Sequence, residues 1–151
     1  MIKIICVGKI KEKYLKDMVE EYTRRLSKYI KLEIIELDDE GLDNEVVVMR
    51  KEKDKILKQL DLKSYIILLD REGKEISSLD LSKKINDITI YNSNITFIIG
   101  GSYGVDKEIK DKANEIISFS KLTFPHQIFR VLLLEQIYRS YKIINNETYH
   151  K

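Results

Sequence analysis

Glu135 and Arg139 stand four residues apart in the stretch "QIFRVLLLEQIYRSYKII", and the last residues read "TYHK". At that spacing on a helix a carboxylate and a guanidinium face one another and can pair. His150 is a group that takes up or gives up a proton near neutral pH, and Tyr149 beside it carries a ring able to stack on a nucleobase. Two readings stand side by side for these residues. One is a structural ion pair followed by a frayed tail; the other is a site that orients a base and moves a proton.

A second set lies where three apolar runs stop. "YIILLD" ends at Leu69 and Asp70, "ITFIIGGSYG" runs into the glycine loop Gly100–Gly104, and "IISFSKLTFP" ends at Pro125. Glycines let backbone N–H and C=O groups approach a ligand with no Cβ in the way. The chain's one proline can open a helix without losing a needed donor, which gives the loop before it a defined shape. "GGSYG" is neither G-x-G-x-x-G nor a loop ending in G-K-[ST], so alone it is a strand-to-helix turn. A dinucleotide-binding loop would follow the first strand, whereas this one comes about two-thirds of the way along. Asp70 can take a ribose hydroxyl or close a turn. His126, directly after Pro125, fits helix-start hydrogen bonding better than catalysis. With one cysteine and two distant histidines, no metal-ligand spacing exists. There is no G-x-S-x-G elbow.

The elements that must position these residues follow from periodicity. Continuous β-rich runs predict strands at 2–7, 32–37, 64–70, 94–99 and 116–120. Helical spacing predicts helices at about 14–29, 46–60, 77–92 and 106–115, and a long one from Gln127 to about Asn145. Ser77 or Ser78 is the expected N-cap of the third helix. "REGK" predicts a turn, with Gly73 available for positive φ, and "DDEGLDNE" a polar connection. Apolar strands alternating with helices predict an α/β fold: a mostly parallel sheet with helices on both faces. The length predicts one domain, 1–151. In such sheets ligands bind beyond the carboxyl ends of the strands, where Leu69–Asp70, Gly100–Gly104 and Ser120–Pro125 fall. The long helix is apolar around most of its circumference, so one face is expected on the sheet and the other on a second subunit, most simply in a C2 homodimer.

Composition is that of an ordinary globular chain, 43% hydrophobic and 34% charged, with net charge +2. No run approaches a membrane span, and the apolar run at residues 2–7 is too short for a signal segment; a cytoplasmic protein is expected. The single Cys6 is expected to be buried and unreactive. Cations outnumber acids in 9–31 and 121–151 and are outnumbered between. That asymmetry suits a polyanion held by the two ends, or plain solvated helix faces.

"VGKIKEKY", "IIGGSYG", "SFSKLTFPHQIFRVLLLEQIYRSYKI" and the final "YHK" together resemble the RlmH (YbeA-type) methyltransferases of the SPOUT superfamily, over essentially the whole chain. The resemblance implies an α/β-knot with a C-terminal trefoil knot, a homodimer, and S-adenosylmethionine as cofactor. It implies methylation of N3 of a pseudouridine in large-subunit (23S) ribosomal RNA, on the assembled ribosome. Carried over by position, the cofactor pocket takes Leu69, Gly100, Phe119, Ser120, Lys121, Leu122, Thr123 and Phe124, shaped by Gly101, Gly104 and Pro125. Gln136, Tyr138, Arg139, Tyr149 and His150 fall where the RNA base is expected. N3 of a uracil ring must lose a proton, and the catalytic residues expected on that chemistry are His150, or Glu135 in its place, as proton acceptor, and Arg139 holding phosphate or the base. The segment Val46–Lys63 carries little of the match. No metal and no membrane are implied. Alternatives are a related enzyme acting on transfer RNA or another base, and a non-catalytic dimer that binds RNA or a nucleotide. A flavodoxin-like domain would need a phosphate loop early in the chain, where "VGKIKEKY" offers a single glycine.

Overall fold

The β-rich runs become five strands because each is apolar on both sides and needs cover on both. A computed structural model describes residues 1–41 and 43–151; Leu42, within the polar connection, lies outside them. The elements run β1 (Ile2–Val7), α1 (Lys13–Leu26), β2 (Leu32–Leu37), α2 (Glu45–Gln59), β3 (Tyr65–Glu75), α3 (Ser78–Tyr91), β4 (Ile95–Ile99), α4 (Lys107–Lys112), β5 (Glu115–Ser118) and α5 (His126–Ile144). The strands form one sheet, order β2-β1-β4-β3-β5, and every pairing is parallel.

Successive side chains in a strand point to opposite faces, and the buried residues divide accordingly. Ile2, Ile4, Cys6, Ile67, Phe97 and Ile99 pack with Leu26 of α1, Ile85 of α3 and Leu133, Leu134 and Ile137 of α5. Ile5, Val7, Ile66, Leu68 and Ile98 pack with Ile56 of α2 and Ile109 of α4. The sheet is thus covered on both faces, three helices on one and two on the other. Cys6 is fully buried, and burial pushes its thiol up to about 11.

Much of the apolarity of α5 is used within one chain, because α5 packs against both α1 and α3 as the middle helix of a three-helix layer, while Ile128 on it stays exposed. Two expectations need correction. "REGK" is not a turn between elements. β3 continues through it, slipping its register on β5 between Leu69 and Lys74 so that both face Ile117. Gly73 is absent from the positive-φ residues; a Cβ there would lie 2.7 Å from the backbone carbon of Ile117. The glycine is present for close backbone approach. The last strand also ends earlier than expected, at Ser118, where the Ser118 hydroxyl donates to the Ser120 carbonyl (2.9 Å).

The third helix is capped by Ser77, whose hydroxyl accepts from the Asp80 amide while the Asp80 carboxylate accepts from the Ser77 amide, a reciprocal cap. α5 starts directly after Pro125. Its first turns are tied to the far end of the chain. Gly8, at φ +96°, lies against the His126 imidazole, where a Cβ would fall 2.3 Å from Nε2. Arg130, 1% exposed, donates to the Gly8 carbonyl and pairs with Glu36.

Candidate active site

At the carboxyl ends of β3, β4 and β5 the chain leaves the sheet by three segments, and they enclose one cleft of about 850 Å³. The first segment runs from Leu69, still paired with Ile117, to Glu72, within the stretch that the slip of β3 throws out of the ladder with β5. The Asp70 carboxylate accepts from the Glu72 amide (2.9 Å), which closes the bulge on itself. The second is the glycine loop, folded over by the Gly104 amide donating to the Gly101 carbonyl (3.0 Å). The third is the segment from Ser118 to Pro125. Ser120 Oγ accepts from the Leu122 amide (3.0 Å), and Phe119 and Phe124 pack on Phe129 of α5 with centroids 5.0 and 6.4 Å away. Arg71 reaches from the first segment to the Thr123 hydroxyl.

Leu69, Gly100, Phe119, Ser120, Leu122, Thr123 and Phe124 all line this cleft. Lys121 does not; it is exposed. Asp70, Arg71, Glu72, Tyr103 and Phe129 also line it, as do Glu45 and Met49 of α2. The segment that carried little of the motif match therefore supplies part of the wall. His126 lines the cleft too. Burial, and then the Arg130 guanidinium, hold its imidazole below the usual histidine range against a smaller opposing pull from Asp39.

The tail residues form a second cluster on α5. Arg139 is bidentate to Glu135, with Nη2 2.6 Å and Nε 3.1 Å from Oε1. Glu135 also accepts from Gln136 Nε2 (2.9 Å) and from the Tyr149 hydroxyl (3.2 Å). The Tyr149 ring lies under the Arg139 guanidinium at 4.8 Å and edge-on to Tyr138 at 5.0 Å. Desolvation, then the Glu135 charge, push the Tyr149 phenol up to about 12. His150 Nδ1 stands 3.1 Å from Arg139 Nη1. An arginine only donates, so Nδ1 accepts and the ring proton sits on Nε2. Farther out, the Tyr29 hydroxyl donates to Glu147 (2.8 Å), which also pairs with Lys142. The tail is folded onto α1 and α5.

The cleft and the cluster are separate in one chain. Neither Glu135, Arg139, Tyr149 nor His150 lines the cleft. Phe129 is the last helical residue that does, and Arg139 lies ten residues on, about 15 Å along the axis. Among the described residues no group of three or more His, Cys, Asp or Glu could hold a metal ion, and no helix is long and apolar enough to cross a membrane.

Comparison with known proteins gives a consistent picture. The family model described as "Predicted SPOUT methyltransferase" matches residues 1–150. The ribosomal RNA large subunit methyltransferase H of Clostridium tetani is 53% identical, with 99% of each chain covered. Its namesake from Clostridium novyi is 52% identical over the same share of both chains.

Proposed function

The chain belongs to the SPOUT methyltransferase family, and from that premise we propose that it methylates ribosomal RNA of the large subunit, at N3 of a pseudouridine, using S-adenosylmethionine in the cleft at the strand ends. The observation that carries the reading is the cleft itself, built by all three strand-end segments together. Its walls fit the cofactor: Leu69, Phe119 and Phe129 offer apolar surface to an adenine ring, and the glycine loop offers backbone groups unobstructed by side chains. Asp70 and Glu72 add carboxylates suited to a ribose diol and to a positively charged sulfonium. When bound, the cofactor supplies an electrophilic methyl, which passes to N3 as that nitrogen loses its proton and a neutral thioether is left.

Little chemistry is then asked of the protein beyond placement, and orientation alone can be worth roughly 7–11 kcal/mol of a barrier. Arg139 and His150 are proposed to place the base and receive the proton. With Nδ1 accepting from Arg139, His150 presents Nε2–H as a donor. An RNA phosphate or base carbonyl that draws Arg139 away frees Nδ1, and the imidazole can then accept the N3 proton. Glu135 accepts from Arg139, Gln136 and Tyr149 and serves to hold Arg139. Because the cluster lies some 15 Å along α5 from its own cleft, the proposed site takes its cleft from one copy and its tail from another. A homodimer and a knotted C-terminal chain belong to this reading.

Two measurements test it. Calorimetry should detect S-adenosylmethionine binding, and methyl transfer to intact ribosomes should exceed that to free RNA, with the mapped product at N3 of one pseudouridine. Absence of binding at millimolar cofactor, or a product on transfer RNA, would refute the reading. Mixing a cleft variant (Gly100→Leu) with a tail variant (His150→Ala) should restore part of the activity that each lacks alone. No restoration argues against a shared site.

A further inference from the structure

Beneath the glycine loop lies a carboxyl that the proposed chemistry does not use. Glu52 of α2 is 4% exposed, and its Oε2 has no hydrogen-bond partner among the described residues. A Cβ on Gly101 would fall 2.7 Å from Oε2 and 2.9 Å from Oε1. The carboxyl therefore packs directly against the loop backbone, in the space a side chain at position 101 would need. Glu52 is not among the residues that line the cleft; Glu45 and Met49, seven and three residues before it, are. Those spacings put all three on one stripe of α2, so a single helix face both walls the cleft and supports the loop that covers it.

A leucine or methionine would fill this space without burying an unpartnered oxygen, so packing alone does not account for the residue. Burial, and then the neighbouring Asp39 and Glu40, push the Glu52 carboxyl above the usual range, while Lys55 and a backbone N–H of Glu40 pull the other way. A carboxyl that keeps its proton can donate to a loop carbonyl as well as accept from a loop amide.

We propose that Glu52 is a positioning residue for the cofactor cleft: its carboxyl props the Gly100–Gly104 loop through Gly101 and so sets how tightly the loop closes on the cofactor. The inference rests on the reading that this cleft holds S-adenosylmethionine. Glu52→Ala should raise the Kd for S-adenosylmethionine about 2–30-fold, the range for a residue coupled to a ligand only through another. It should leave turnover at saturating cofactor within about twofold of the parent protein, and in the ligand-free protein it should speed amide exchange across Gly101–Gly104. Glu52→Gln, which keeps the shape, should bind within about threefold of the parent. Gly101→Ala alone should weaken binding because its methyl meets the carboxyl, and should weaken it less in the Glu52→Ala background, where that space is empty. Equal affinity in Glu52→Ala, or equal damage by Gly101→Ala in both backgrounds, overturns the proposal. If Glu52→Ala does not fold, Gly101→Ala decides: unchanged affinity overturns the proposal, and weakened affinity with an unchanged melting temperature sustains it. A parent protein that binds no S-adenosylmethionine refutes the cofactor reading and this inference together, whereas a parent that binds normally beside an indifferent Glu52→Ala refutes the inference alone.

Discussion

Replacing Gly73 with alanine tests whether the bulge in β3 positions the cleft. The added methyl would stand 2.7 Å from the carbonyl carbon of Ile117, and 2.8 Å from the carbonyl carbon and oxygen of Ile116. All three are backbone atoms of β5, so no rotamer change can make room. An ordinary carbon contact is about 3.5 Å, so the two strands must part by about 0.8 Å. Overpacking of that kind costs about 1–3 kcal/mol. The loss of chain freedom in the unfolded state returns about 0.4–1 kcal/mol, so the middle of the two ranges leaves a net destabilisation of about 1.3 kcal/mol. For a chain of 151 residues that lowers the melting temperature by about 3–5 °C. The displaced strand runs directly into Phe119 and Ser120, so cofactor affinity should fall as well. Gly41→Ala is the control, since a Cβ there meets nothing within 4 Å. Thermal unfolding and calorimetry with S-adenosylmethionine on both variants decide the matter. Equal melting temperatures and equal affinities would refute the idea that close backbone approach at Gly73 holds the bulge.

Arg130→Met removes the donor to the Gly8 carbonyl and leaves Glu36 with the Ile10 amide alone. It should cost about 3–4 kcal/mol in urea unfolding at unchanged m, the lower part of the range for a broken buried pair because Glu36 keeps that amide and some contact with water. The imidazole of His126 is held below its usual range, so the unfolded chain binds the extra proton first. Stability should therefore rise with pH through the window below about 6.5 and flatten above it; His126→Gln should remove that part of the slope. Tyr149→Phe loses the hydrogen bond to Glu135 but keeps the ring against Tyr138. It should cost about 0.5–1.5 kcal/mol in urea unfolding.

The parts of the site legible in the sequence are those where an apolar run stops at a residue type with a mechanical meaning. Leu69, Gly100 and the segment from Phe119 to Phe124 were visible because strand ends, glycines and a proline are local signals. "REGK" carried the same kind of signal and misled, since a glycine needed for close approach looks like one needed for a turn until its neighbour across the sheet is known. Arg130 was invisible for a related reason. A cation in a helix is expected at the surface, and its partners Gly8 and Glu36 lie 122 and 94 residues away in sequence. Glu52 was hidden in "RKEKDK", a run that suggests a solvated face and in fact has one turn under the glycine loop. Lys121, placed with the cofactor residues by the family resemblance alone, is exposed and lies outside the cleft lining.

The charge asymmetry takes on a different meaning once the ion pairs are known. In the basic opening segment Lys9 pairs with Asp38, Lys13 with Asp17, and Arg24 and Arg25 with Glu21. In the closing segment Arg130, Arg139 and Lys142 are each engaged by a glutamate. Lys11, Lys16, Lys28 and Lys31 form no ion pair among the described residues. Each phosphate contact contributes a salt slope of about 0.7–0.9, so a handful of available cations gives a shallow slope and a weak hold on free RNA. On the proposed reading, binding must draw on shape and on exchange of cations already paired, and Arg139 is the pair whose exchange has a chemical consequence. While it holds Glu135 and His150 Nδ1, the imidazole cannot accept a proton at that nitrogen. Only a substrate that competes for Arg139 releases it, which would confine proton transfer to the complex in which the RNA is seated.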